Sequence, residues 1–410
     1  MHMPPEAATS DILEPRDAAS IVWQRLTPER WPLPLDVLPV GTALVGGAVR
    51  DALLGRVRDC PDLDLVVVGE ALALTHQLAE TLGGTAVVLD EGRDMGRLVL
   101  RGWTIDVARQ DGLSLVEDLQ RRDYRLNALA LPLQPRGALV DPTGGLRDLQ
   151  DGRLLAVQET NLTDDPLRML RGLRLMAEIP LELDPQTEAW IRRHSDKLGQ
   201  SAPERILAEV QRLTHGPHAD GVLPILLDLN LLAPWSDPVE QGRVIPGSRE
   251  AAGLTAAERE RALPLARLMH LLSDAGLEQL RASRQLRQRC RRLRRWVRDR
   301  PIDPETMAED DRYALHGDLD EDLSALILHL APQHQAAWLQ RWRDPDDPLF
   351  HPAAPVDGRT LQRELGLKPG PAIGLLLEHL KRERAFQRLD GRASALQEAQ
   401  RWCALHRGLL

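Results

Sequence analysis

Apolar and polar positions change their rhythm near Leu146 of this 410-residue chain. Upstream, short apolar runs alternate with helical spacing. Leu44 and Val45 close on Gly46 and Gly47, and the positions up to Leu54 then recur as one helix face before Gly55 ends it, which reads as strand, glycine turn and helix. The same rhythm predicts a strand in Asp62 to Gly69, a helix from Ala71 to Gly84, and closely spaced strands in Thr85 to Gly92, Gly96 to Gly102 and Trp103 to Arg109. Such spacing suits a mixed or antiparallel sheet with few flanking helices. Downstream the strand signals nearly vanish, and helical periodicity runs through Leu167 to Leu175, Pro185 to His194 and Pro203 to Leu213 towards the C-terminus. Loops are expected near Pro234 to Gly253 and Asp344 to Gly358, and residues 1 to 35 read as a loose arm with a short helix around Ala18 to Leu26. The predicted class is α+β: a mixed-sheet head followed by an all-α remainder.

Bulk properties narrow this only a little. The length predicts two to four domains, and 43% apolar residues suit a globular chain. No apolar run approaches the roughly 20 residues of a bilayer span, and the acidic, proline-bearing N-terminus is unlike a secretory or transit leader. A cytoplasmic protein without a membrane partner is therefore expected. Cys60, Cys290 and Cys403 are odd in number and far apart, which supports neither a disulfide framework nor a zinc site. A net charge of −9 excludes a general basic coat for nucleic acid, so any such contact is local. One segment qualifies, Arg281 to Arg300, where arginine dominates and Leu286, Cys290, Leu293 and Val297 form an apolar stripe at helical spacing. Arg287, Arg291 and Arg294 are its candidate RNA contacts; an ordinary solvated helix face is the competing reading.

The chemistry concentrates at the first glycine turn. Asp62 and Asp64, two apart at the mouth of a strand, project to one side. Beside a glycine turn with backbone N–H groups, they supply the parts for holding a metal triphosphate. Asp106, in the strand Trp103 to Ala108, is the candidate third carboxylate for two Mg²⁺ ions in phosphoryl transfer. A lone D-x-D is common in loops; its attachment to the glycine turn is what gives it weight. The turn has neither the G-x-G-x-x-G of a dinucleotide fold nor the G-x-x-x-x-G-K-S/T of a P-loop.

Gly46, Gly47, Val49, Arg50, Asp51, Leu53, Leu54, Gly55, Asp62 and Asp64 together match G-G-x-V-R-D-x-L-L-G followed by D-x-D. This signature resembles that of the class II tRNA nucleotidyltransferases and bacterial poly(A) polymerases of the polymerase-beta superfamily. The resemblance continues in order. Asp118 to Ala128 is similar to D-L-x-R-R-D-F-T-x-N-A, with Arg125 in place of a small hydroxyl residue; it implies that Arg122 and Asp123 read the ribose, with Arg50 and Asn127 in the same nucleotide site. Asp141 to Leu149 is similar to the D-P-x-G-G-x-x-D-L hinge between head and neck, whose glycines suit flexing. Asp164 to Arg168 resembles E-D-x-x-R, which implies that Asp165 and Arg168, on one face of a helix start, select the base in place of a template, with Arg171 on the triphosphate. Glu204 to Glu209 is similar to a buttressing E-R-x-x-x-E helix. Gly366 to Gly374 resembles a tail element, which implies RNA contacts by Lys368, Gly370 and Gly374. His270 and Asp274 lack the partners of a phosphohydrolase pair and are read as structural.

By this resemblance residues 1–35 are an arm, 36–145 a polymerase-beta-like head, 146–215 a helical neck with the nucleotide-selecting motif, 216–343 a helical body and 344–410 a tRNA-contacting tail. The implied enzyme adds nucleotides to the tRNA 3′ end without a template and releases pyrophosphate. CCA-adding members carry a long flexible loop after the third carboxylate, whereas here Arg109 passes through Gln110 to Ser114 straight into Leu115. The short connection resembles the CC-adding subclass, which uses CTP and leaves a separate A-adding enzyme to complete the terminus. Full CCA addition with CTP and ATP is the alternative, followed by A addition, poly(A) polymerase activity, and a catalytically silent RNA-binding relative. Poly(A) polymerases carry a long basic extension after the tail element, which is not seen here.

Overall fold

The structure is a computed structural model and describes residues 13–237, 245–298 and 307–407. The chain folds as two compact units, residues up to 202 with 221–231, and residues 203–220 with 232 onward. The first twelve residues of the expected arm, part of the loop around Pro234 to Gly253 and the end of the arginine-rich segment lie outside the described residues.

In the first unit α1 (Pro15–Leu26) starts on a proline and buries Ala18, Ala19, Val22 and Leu26. The short helix expected around Ala18 to Leu26 is present, and over these residues it is no loose arm, because its i, i+3/i+4 apolar stripe packs into the head core beside Leu44 and Val49. The head is a six-stranded mixed sheet in the order β3-β4-β5-β2-β1-β6, from β1 (Ala43–Val45), β2 (Leu63–Val67), β3 (Thr85–Asp90), β4 (Met95–Leu100), β5 (Trp103–Arg109) and β6 (Ala130–Pro132). The strands β2 and β5 are parallel, with Asp64 opposite Asp106, and β1 runs antiparallel to β2 and β6. Leu63, Leu65, Ile105 and Val107 alternate into the core, so Asp64 and Asp106 point to the other face. The helices α2 (Gly47–Leu53), α3 (Ala71–Leu82) and α4 (Leu115–Gln120) complete the head.

The expected hinge is a capped helix start. Both carboxylate oxygens of Asp141 accept main-chain N–H groups, those of Gly144 and Gly145 at 2.9 and 2.8 Å and that of Leu146 at 2.9 Å, at the head of α5 (Gly145–Gln150). A Cβ on Gly145 would lie 2.1 Å from the Arg125 carbonyl oxygen. The glycine there answers close packing. Next come α6 (Glu159–Asp164), α7 (Leu167–Glu178), α8 (Pro185–His194) and a two-stranded ribbon of β7 (Arg153–Leu154) and β8 (Glu182–Leu183).

Helices continue with α9 (Pro203–His215), α10 (Ala219–Asp228), α11 (Ala256–Leu271), α12 (Asp274–Gln279), α13 (Arg284–Arg298), α14 (Glu309–Leu319), α15 (Leu323–Ile327) and α16 (Pro332–Arg343). The end holds α17 (Gly358–Leu365), α18 (Pro371–Ala385) and α19 (Arg392–Leu405), packed on Leu361, Leu376, Leu380 and Trp402. Among the described residues no helix is long and apolar enough to cross a membrane.

Candidate active site

The glycine turn and the carboxylates meet on one face of the sheet. Gly46 has φ +73°, which strains any side chain at 46, and a Cβ there would stand 3.5 Å from both Asp64 Oδ2 and Arg122 Nη1, in ordinary contact with each. The Gly46 N–H donates to the Leu129 carbonyl at 3.2 Å. That amide is committed to the sheet, unlike the unspent turn N–H the sequence suggested. Gly47 is the first residue of α2, with Arg50 on the helix behind it. Asp62 lies just before β2 and is exposed, whereas Asp64 and Asp106 are half-buried.

One residue that the sequence reading missed completes the set. Arg97 on β4 stands opposite Asp106 on β5 and donates twice to it, Nε to Oδ1 at 2.7 Å and Nη2 to Oδ2 at 2.9 Å. This fork-on-fork pair is the strong form of a charged hydrogen bond. Its signal was present: Arg101 and Gly102, both at positive φ, form a two-residue hairpin turn that fixes which residues of the two strands face each other.

Burial first, then the negative charges of Asp106 and Asp62, push the Asp64 carboxyl up to about 6 against the opposing pull of Arg122 and Arg171. A carboxylate crowded by two others on one face of the sheet belongs to a donor set that a divalent cation would relieve, and on that ground the residues fit a metal. Among the described residues, no three His, Cys, Asp or Glu side chains close into an ion-sized cluster, and Arg97 holds both oxygens of the third carboxylate.

A polar network extends from this site into the helices that follow. Arg122 donates to Asp118 at 3.1 Å while reaching towards Gly46. The Asp123 side chain turns the other way: Oδ1 accepts from the Tyr124 N–H at 2.8 Å and from Asn127 Nδ2 at 3.1 Å, and Oδ2 lies 3.3 Å from Arg171. Burial acts to raise the Asp123 carboxyl, but Arg171, Asn127, the Tyr124 amide and Arg168 outweigh it and hold it below its usual range. Asn127 in turn accepts from Arg50 at 2.7 Å. Tyr124, fully buried, donates its hydroxyl to the Arg168 carbonyl at 2.8 Å, where a Cβ on Gly172 would clash with it. Arg168 Nη1 donates to the carbonyls of Arg121 and Asn161 at 2.7 and 3.2 Å. Asp165 is extended, at φ −134° and ψ 92°, between α6 and α7, so the expectation of one helix face shared with Arg168 is corrected. Proline 166 forces this, since a residue before proline is pushed out of the helical region.

The candidate RNA contacts divide. On α13, Arg287 pairs with Glu278 at 2.7 Å and Arg291 with Asp274 at 3.1 Å, the latter with its side chain 69% exposed. Arg294 is buried and donates to the Met269 and Leu272 carbonyls at 3.0 and 2.6 Å besides pairing with Asp274. Its place in the RNA-facing set is thereby corrected: the helix turns it inward. Lys368, Gly370 and Gly374 are exposed, and a Cβ on either glycine would meet nothing within 4 Å. His270 on α11, buried, sits 2.9 Å from the half-buried His329, and both are held well below the usual imidazole range.

Comparison with known proteins bears on the family and the fold. The poly A polymerase head domain family matches residues 42–155, and the family described as "probable RNA and SrmB-binding site of polymerase A" matches 180–236. The chain is 31% identical to the CC-adding tRNA nucleotidyltransferase of Synechocystis over 90% of this chain and 94% of that protein. It is 30% identical to the A-adding tRNA nucleotidyltransferase of Deinococcus radiodurans over 90% and 97%. The fold is similar to that of the Thermotoga maritima CCA-adding enzyme complexed with tRNA, at TM-score 0.73 and 21% identity over 94% of this chain and 98% of that one. With its glycine turn, strand-borne carboxylates and helical remainder, the chain belongs to the tRNA nucleotidyltransferase family of enzymes.

Proposed function

We propose that this enzyme is the CC-adding kind: it transfers C residues from CTP to the tRNA 3′ end, releases pyrophosphate and stops before A. The observation that carries the reading is the connection from Arg109 to α4. It spans five residues and is tied down, the Asp111 N–H donating to Asp118 at 3.0 Å and the Leu113 N–H to Glu117 at 2.9 Å. Ser114 caps α4 directly, leaving no slack for a segment that would reshape the base pocket between C and A. The extended likeness to a CC-adding relative supports it. The similarly extended likeness to an A-adding relative favours A addition as the second reading.

In this reading Asp62 and Asp64, with Asp106 as third carboxylate, would hold two Mg²⁺ ions. When bound, these would neutralise the triphosphate and lower the pKa of the attacking 3′ hydroxyl. The protein does the rest. Arg97 fixes the Asp106 carboxylate, Gly46 and Gly47 leave room for the phosphates, and Arg171 and Arg50 supply positive charge. Arg122 and Asp123 select the ribose with Asn127, and Asp165 and Arg168 read the base edge. Lys368, Gly370 and Gly374 offer an open surface for an RNA phosphate, Arg287 and Arg291 add charge, and a separate A-adding enzyme finishes the terminus. Incubation with a tRNA transcript that ends at the discriminator base, with CTP and ATP offered singly and together, tests this. Two C and no A are expected; three nucleotides, A tails or no incorporation overturn it.

A further inference from the structure

Three successive carbonyls at the C-terminal end of α4, those of Gln120, Arg121 and Arg122, all accept from side chains of the following helices. Asn161 Nδ2 donates to Gln120 at 2.8 Å and to Arg122 at 2.7 Å, and Arg168 Nη1 donates to Arg121 at 2.7 Å. The carbonyls at a helix end have no partner within the helix, so water could have served this short one. Here the partners come from α6 and α7. Asn161 is buried at 5% exposure, and both hydrogens of its amide are used. Its main-chain carbonyl also accepts from Arg168 Nη1 at 3.2 Å. One residue therefore holds the segment that aims Arg122 and Asp123 and, from its other end, the guanidinium of Arg168.

We propose that Asn161 is a positioning residue for nucleotide selection. It acts through Arg168 and the 120–122 carbonyls and touches no substrate. The inference rests on the reading of Arg168 as base-selecting. Loss of the amide leaves the Gln120 and Arg122 carbonyls without that donor and loosens the 120–122 segment, whose Arg121 carbonyl anchors Arg168, so the base-reading geometry loosens while the carboxylate site, built on β2 and β5, is unchanged.

The test compares Asn161→Ala, Asn161→Ser, Arg168→Ala and the double variant in the full enzyme, measuring kcat/KM for CTP and for ATP on a tRNA lacking its 3′ end. Asn161→Ala is expected to lower the CTP-to-ATP ratio about tenfold. Asn161→Ser, which keeps one donor, is expected to recover part of it. In the Arg168→Ala background, the Asn161 substitution is expected to have no further effect on the ratio, the non-additivity of residues acting as one unit. A ratio unchanged by Asn161→Ala but lowered by Arg168→Ala overturns the role of Asn161, as does full additivity. A ratio unmoved by either variant overturns the base-selecting reading and the inference with it. Asn161→Ser carries the same test should Asn161→Ala fail to fold.

Discussion

Arginines crowd both the stretch from α4 to α7 in the first unit and α13 of the second, and their settings differ. In the first stretch, Arg122 reaches towards Gly46, Arg171 lies beside Asp123, and Arg168 is braced by main-chain carbonyls. These cations converge on a crowded set of carboxylates. On α13 the charge is dense in sequence yet compensated in space: Arg289 pairs with Asp322 at 2.7 Å, Arg298 with Asp237 at 2.6 Å, and Arg295 with Asp318. A run of one sign along a helix does not make a surface of that sign when acids from α12 and the turns around α14 lie against it. What marks the first cluster is order and register across distant motifs; what marks the second is composition, which packing absorbs.

The largest loss is expected at the carboxylates. Asp62→Ala or Asp64→Ala is expected to reduce transfer on the order of a thousandfold or more while tRNA binding, measured by filter retention, persists; retained activity removes the two from the site. Arg97→Gln frees the Asp106 carboxylate and is expected to cost about 10–100-fold in kcat/KM and to shift the Mg²⁺ concentration for half-activity, as loss of a supporting partner does. An unchanged Mg²⁺ titration would make the Arg97 pair merely structural.

Within α13 the two kinds of arginine separate. Arg294→Gln is expected to lower unfolding free energy by about 2–4 kcal/mol, because two buried carbonyls lose their donor and Asp274 loses one of its two arginines. Denaturant midpoints measure this, with little change in RNA affinity. Arg291→Gln, by contrast, is expected to leave stability within about 0.5 kcal/mol and to reduce the salt dependence of tRNA binding by about one counterion. An unchanged salt slope would place α13 wholly in the structural class.

Acid sharpens the contrast between the units, with opposite signs. His316 on α14, packed 4.1 Å from the Phe350 ring, is pushed by burial from 6.5 down to about 3. Between those values the unfolded chain takes a proton that the folded one refuses, so the second unit loses stability as pH falls below about 6.5. His270 and His329 act in the same direction. Asp64, raised from 3.8 to about 6, does the reverse: the folded state takes its proton first, and acid relieves the strain present above pH 6. From pH 7 to 5, hydrogen exchange corrected for intrinsic rates is expected to show α11 and α15 losing protection relative to β2 and β5. Equal loss in both would contradict the assignment.

The sequence made the carboxylate strand, the glycine turn and most helices legible because each is a local pattern. The helix Pro185–His194 lies where its periodicity put it, between an Asp184 cap and a basic last turn. Long-range partners were not legible. Nothing in the spacing of Asn161 announces that its amide reaches carbonyls about 40 residues earlier. The helix face expected for Asp165 and Arg168 failed on a single local rule, the proline at 166. Arg294 failed because a stripe of four apolar residues leaves unsaid which flanking arginine the fold draws inward. Arg97 stood in reach of a hairpin-register argument that needed the pairing of β4 with β5.

The central claim is that the tied connection between Arg109 and α4 ends the reaction at CC. The most direct measurement offers the enzyme a tRNA already ending in CC, with labelled ATP and Mg²⁺, alongside the same tRNA lacking both C residues with CTP. The account predicts two C on the second substrate and no A on the first; efficient addition of A to the CC end would contradict it.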